Sequence, residues 1–105
     1  MATLQDLVGE DLAAYEIEYR THATRRMFQW GLFNDDVERV LFQGEIIEEY
    51  DETRPFHHVL LSGRVRFRLP LHVAAIIDTS EKRVTIITAY EPDSLKWKDD
   101  FTRRR

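Results

Sequence analysis

The sequence predicts an α+β domain: N-terminal helices followed by an antiparallel sheet of about four strands, with the helices packed on one face. Three observations predict it. Apolar residues recur at helical spacing up to Gly44 and alternate at strand spacing beyond it. Gly31 and Gly44 each stop a short helical stretch. A chain of 105 residues with 43% hydrophobic content fills one core and is too short for two domains. Residues 1–43 are therefore expected to be mostly helical, 44–91 to form the sheet, and 92–105 to be a tail anchored by Trp97.

Thr3 suits the cap of a first helix, with Asp6 completing a capping box and Leu4, Leu7, Val8 and Leu12 forming its apolar side. Tyr15 to Tyr19 alternates as a short extended link or edge strand. Thr21 is expected to cap a second helix over His22 to Trp30, with Ala23, Met27 and Trp30 on one face. Asn34 would cap a third, carrying Val37, Val40 and Leu41. Glu45 to Tyr50 reads as the first main strand. Phe56 to Asp78 is too long for one strand and must fold back, near Gly63 or around Arg66 to Leu69. Pro70 suits the start of the returning strand because it cannot donate to a ladder. Leu71 to Ile77 is apolar enough for the middle of the sheet, Asp78 to Lys82 is a turn, and Arg83 to Tyr90 is a β-branched last strand. The expected core contains Met27, Ile47, Leu60, Val73, Ile76 and Ile86, while Arg103 to Arg105 are expected to stay mobile.

The absence of cysteine excludes disulfides and thiolate metal sites, which fits a reducing cytoplasm. No apolar run is long enough for a membrane span, and the opening residues lack the pattern of a secretion signal. A net charge of −4 argues against nucleic-acid binding through bulk basicity. The charges are nonetheless segregated: arginines cluster at 20–26, 64–68 and 103–105, and acids at 45–52. There is no P-loop, dinucleotide fingerprint, G-x-S-x-G or zinc motif, so no cofactor or metal is expected. His57 and His58 are neighbours on a strand, point to opposite sides and cannot share one metal.

His22 and Arg26 are one helical turn apart, at a helix start that favours anions. Arg26 brings a planar fork suited to phosphate, and His22 a titratable group beside it. Spacing alone favours the plainer reading, in which His22 caps its helix and Arg26 pairs with a carboxylate. On an unbroken strand, Arg66, Arg68, Pro70 and His72 would share one face, ending a basic stripe in a histidine able to exchange protons. A core histidine with a satisfied hydrogen bond explains His72 equally well. Tyr90, Glu91 and Glu48 complete the polar candidates.

Taken in order, His22-Ala23-x-x-Arg26-Met27, Asp36-Val37, Gly44-Glu45-Ile46-Ile47-Glu48-Glu49-Tyr50, Pro70-Leu71-His72-Val73 and Ile87-Thr88-Ala89-Tyr90-Glu91-Pro92-Asp93, followed by Trp97, resemble a family of small bacterial proteins of unknown function. That family is similar in element order to the RelE, BrnT and MqsR toxins, ribonucleases of toxin–antitoxin pairs. The resemblance implies a RelE/BrnT-like fold and a metal-independent endoribonuclease. Its substrate would be single-stranded RNA and its partner an antitoxin protein. His72 or His22 would move protons, Arg26 would hold the phosphate and Tyr90 would assist. Where the family has a small turn residue and an arginine before Pro-Leu-His, this chain has Arg68 and Leu69. The alternative is a non-catalytic protein-binding module whose acidic strand and arginine clusters recognise another chain. A small-molecule sensor is the third reading.

Overall fold

The structure is a computed structural model that describes residues 2–9, 11–51, 56–98 and 101–104. The first helix, α1 (Leu4–Val8), opens with a reciprocal capping box. The Thr3 hydroxyl accepts the Asp6 N–H at 3.2 Å, and the Asp6 carboxylate accepts the Thr3 N–H at 3.0 Å. A single 3₁₀ turn, Leu12–Ala14, leads into β1 (Glu16–Tyr19).

Helix α2 (Thr21–Trp30) includes Thr21 rather than being capped by it. Arg20 occupies the cap position and, lacking an acceptor, makes no side-chain cap. Ala23 and Met27 are buried, and Gly31 ends the helix in the left-handed conformation, at φ 66°. Trp30, expected on the buried face, is 44% exposed beside the end of the last long strand. Helix α3 (Asn34–Gln43) likewise starts one residue earlier than Asn34 would set it. Phe33 is the cap residue, and the Asp36 carboxylate reaches back to accept its N–H at 2.8 Å. The turn from α3 into the sheet is tight enough that a Cβ at Gly44 would stand 2.4 Å from the Val40 carbonyl oxygen.

Four strands form an antiparallel meander: β2 (Glu45–Asp51), β3 (Phe56–Arg64), β4 (Pro70–Asp78) and β5 (Arg83–Tyr90). The sheet nevertheless has five strands, in the order β1-β5-β4-β3-β2, because β1 lies parallel to β5 with Ile17 opposite Val84. The expected antiparallel sheet of about four strands is corrected to a mixed one. The reason is that β1 pairs across most of the chain, and local alternation marks a strand without saying which distant strand it joins. Of the two places considered for the fold-back, the chain uses the second, a 3₁₀ turn at Arg66–Arg68.

The helices cover one face of the sheet, and Leu4, Val37, Leu61, Val73, Ile77 and Ile86 are among the residues buried between the layers. Met27 belongs to this core with Val73 and Ile86. Leu60 and Ile47 pack on the opposite face, and Ile76 is only partly buried there, so these three are corrected to the second side of the sheet. That side is covered by a second small cluster around Trp97, which is 3% exposed between Leu60 and Ala74. Trp97–Lys98 (β6) pairs with Arg103–Arg104 (β7) in a separate two-stranded ribbon. The expectation that residues 103–105 hang free is therefore corrected at Arg103 and Arg104, while residue 105 lies outside the described residues. Among the described residues, no helix is long and apolar enough to cross a membrane.

Candidate active site

Strand alternation along β4 sends Leu71, Val73 and Ala75 to the helices and His72 to the opposite face. There His72 is flanked across the ladders by Ser62 on β3 and Tyr90 on β5. Two neighbouring rings enclose it: Trp97 and Tyr90 stand edge-on at centroid distances of 4.5 and 5.4 Å. The imidazole is fully buried. Its Nε2 lies 2.6 Å from the Phe101 carbonyl oxygen, which can only accept, so Nε2 carries the proton. Nδ1 is then an acceptor, and the Tyr90 hydroxyl, 3.3 Å away, donates to it. Burial pulls the imidazole below its ordinary value of 6.5 and so favours this neutral form. Burial also pushes the Tyr90 phenol up, keeping its proton on.

On the same face, β2 brings Glu48 opposite Leu60. The Arg104 guanidinium grips its carboxylate with two bonds, Nε to Oε2 at 2.6 Å and Nη2 to Oε1 at 3.0 Å. That guanidinium also lies 4.5 Å over the Trp97 ring. The Tyr50 hydroxyl donates to the same carboxylate. The Arg104 bonds, chiefly, hold Glu48 below the usual carboxylate range against the opposing effect of burial. Burial and then the bond to Glu48 push the Tyr50 phenol up to about 12.

Beside this group opens a cleft of about 680 Å³ between the end of α2, the end of β5 and the tail. Its cations are Arg26, Lys96 and Arg104, its aromatic walls Trp30, Tyr90 and Trp97, and its carboxylates Glu91 and Asp93. The Arg26 Nε–H is buried and meets no hydrogen-bond acceptor among the described residues. A buried donor of this kind needs an acceptor, and a charge-assisted bond to an anion in the cleft would supply a strong one.

Of the residues singled out from the sequence, Arg26 and Tyr90 line this cleft, and His72 sits directly behind Tyr90. His22 does not join them: it is exposed in the first turn of α2 and is not part of the cleft wall. The expected basic stripe does not form either. The 3₁₀ turn takes Arg66 and Arg68 off the strand, and Arg66 instead clasps the buried Asp36 carboxylate at 3.0 and 3.1 Å and the Gly31 carbonyl at 3.1 Å. His57 lies 3.5 Å from Glu49, and His58 packs edge-on against Tyr50. No group of three or more His, Cys, Asp or Glu side chains among the described residues could hold a metal ion.

Sequence reasoning missed Trp30, Lys96 and Arg104 as cleft residues. Trp30 fits the apolar stripe of α2 so well that its position beyond the sheet leaves no local mark. The two clusters of opposite charge raised pairing of the terminal arginines with the strand around Glu48 and Glu49 as the alternative to a mobile tail, and Arg104 makes that pair. Residues 19–91 match the family model of a domain of unknown function, DUF4258. No curated protein and no solved structure matches the chain.

Proposed function

The chain belongs to the DUF4258 family, and from the chemistry of its cleft we propose a metal-independent endoribonuclease of toxin type, acting on single-stranded RNA. The observation that carries the reading is Arg26: an arginine with an unmet buried Nε–H, in a cleft that also offers Tyr90 and the exposed ring of Trp30. Cations that meet a phosphate beside aromatic faces that stack bases are what an unpaired RNA strand requires.

In this reading Arg26 holds the phosphodiester and neutralises charge as it builds on the non-bridging oxygens. The RNA 2′-hydroxyl attacks the adjacent phosphorus, and its proton passes to the Tyr90 oxygen as the Tyr90 proton passes to His72 Nδ1. The P–O5′ bond breaks, leaving a 2′,3′-cyclic phosphate, and the leaving oxygen takes a proton from water or from Lys96. His72 is a positioning and relay residue, because Tyr90 stands between it and the cleft. A toxin of this type would have an antitoxin protein as its partner.

The test is cleavage of single-stranded RNA in EDTA, with the ends identified as 2′,3′-cyclic phosphates. Arg26→Ala should slow cutting roughly a hundredfold or more, the scale for losing one charge-stabilising group. Tyr90→Phe should also impair it, while His22→Ala should leave the rate unchanged. If no RNA is cut, the non-catalytic protein-binding module becomes the better account. That second reading is supported by Phe28 and Phe33, large apolar side chains left 87% and 64% exposed on the helical layer.

A further inference from the structure

Arg104 sits in a receptor suited to a flat group with two parallel N–H donors. Its Nε–H and Nη2–H enter the two oxygens of Glu48 at 2.6 and 3.0 Å, and its plane of charge lies 4.5 Å over Trp97. One wall, Glu48, is fixed by the sheet, and the other, Trp97 on the two-residue β6, is fixed by its burial. Glu48 is on a laddered strand and bonded by Tyr50. The Trp97 side chain is packed on Leu60 and Ala74, and its main-chain N–H donates to the Asp93 carbonyl at 3.1 Å. The occupant is held less firmly. Arg104 belongs to a two-residue strand, and more than half of its side chain is exposed. Short peripheral elements of this kind open at small cost.

Among the RNA bases, one presents the same donor pair. Guanine carries N1–H and N2–H side by side on the edge of a flat, stackable ring, and a carboxylate can accept both. Adenine and cytosine place an acceptor beside their amino group, and uracil flanks its single N–H with carbonyls. Arg104 and Trp97 also line the cleft that holds Arg26 and Tyr90, so a base bound here would be connected to a phosphate bound there. We propose that Glu48 and Trp97 form a guanine-reading subsite of the cleft, which Arg104 fills from within the chain until a nucleotide displaces it. The proposal rests on the nucleotide-binding part of the reading above and does not require cleavage.

The test compares binding of guanosine, inosine and adenosine 5′-monophosphates, read by calorimetry and tryptophan fluorescence, in the wild-type chain and in Arg104→Ala. Arg104→Ala should bind the guanosine nucleotide about tenfold more tightly than the wild type, since the internal competitor is gone. It should also prefer guanosine over inosine monophosphate, which lacks the N2 donor, by about tenfold. Adding Glu48→Gln should abolish that preference, because an amide offers one acceptor and one donor where the base needs two acceptors. Arg104→Lys, which cannot fill both carboxylate oxygens in one plane, repeats the test should Arg104→Ala unseat the tail. Equal binding of the three nucleotides by the opened variants overturns the proposal. Tighter binding of N-acetylarginine amide than of the guanosine nucleotide also overturns it and assigns the subsite to an arginine of a protein partner. A guanine preference in a chain that cuts no RNA upholds the subsite and retires the nuclease. Cleavage without any guanine preference does the reverse.

Discussion

His72 is fully buried yet has both ring nitrogens engaged, one by a main-chain carbonyl and one by a phenol. Burial makes that arrangement favour the neutral ring, and it ties part of the acid stability to this one residue. Below pH 6.5 the unfolded chain binds a proton at this histidine that the native chain refuses, because burial lowers the native value. Stability is therefore complete above about pH 6.5 and declines as the pH falls toward the lowered native value. Urea unfolding between pH 5 and 7.5 should show this decline, and His72→Gln should flatten it over the same interval. Glu48 acts in a separate, more acidic window: its lowered value means that stability is lost only as the pH falls below the usual carboxylate range. Alternation around His72 was enough to set it opposite Leu71 and Val73. That Trp97 and Tyr90 would enclose it was not legible, since the tail has no periodicity to say which surface it docks on.

At the level of elements, neighbouring residues on one strand have different surroundings. Ile77 is fully buried between sheet and helices, while Ile76 points to the other face and is partly exposed. Ile77→Ala should cost about 2–5 kcal/mol, and Ile76→Ala only about 1 kcal/mol, because a half-open site leaves little cavity. Denaturant midpoints of the two variants check the face assignment directly. Helix ends were largely readable because glycine at 31 and at 44 answers a local backbone need. The start of α3 shifted by one residue because the Asp36 carboxylate, three positions beyond Phe33, supplied the bond instead. The β3–β4 turn was the least readable element. Phe67 and Arg68 both adopt positive φ, 57° and 61°, without being glycine, a conformation costing roughly 1–2 kcal/mol per residue. Arg66 opposes that strain by tying the turn to Asp36 and Gly31, a contact between segments far apart in sequence.

At the scale of the molecule, part of the second face of the sheet is covered by the tail, which turns a charged C-terminal segment into part of the fold. Removing residues 103–105 deletes β7 and with it the paired guanidinium of Arg104. The melting temperature should fall by about 5 °C, the shift that a loss near 1 kcal/mol produces in a domain of this size. The difference between full-length and shortened chains should narrow in high salt, because part of it is an exposed ion pair. The overall α+β order was legible from the change of period at Gly44, and the alternation of Tyr15 to Tyr19 marked an edge strand, but the parallel pairing of that strand was not legible. β1 has ordinary alternation; what it lacks is a neighbour in sequence to pair with. The same topology has a kinetic consequence. The β2–β3, β3–β4 and β4–β5 ladders join consecutive strands and close short loops, whereas the β1–β5 ladder must close a loop spanning most of the chain. Its entropy is recovered only when the meander already exists as a template, so the N-terminal strand is the natural last arrival in folding and the first to leave.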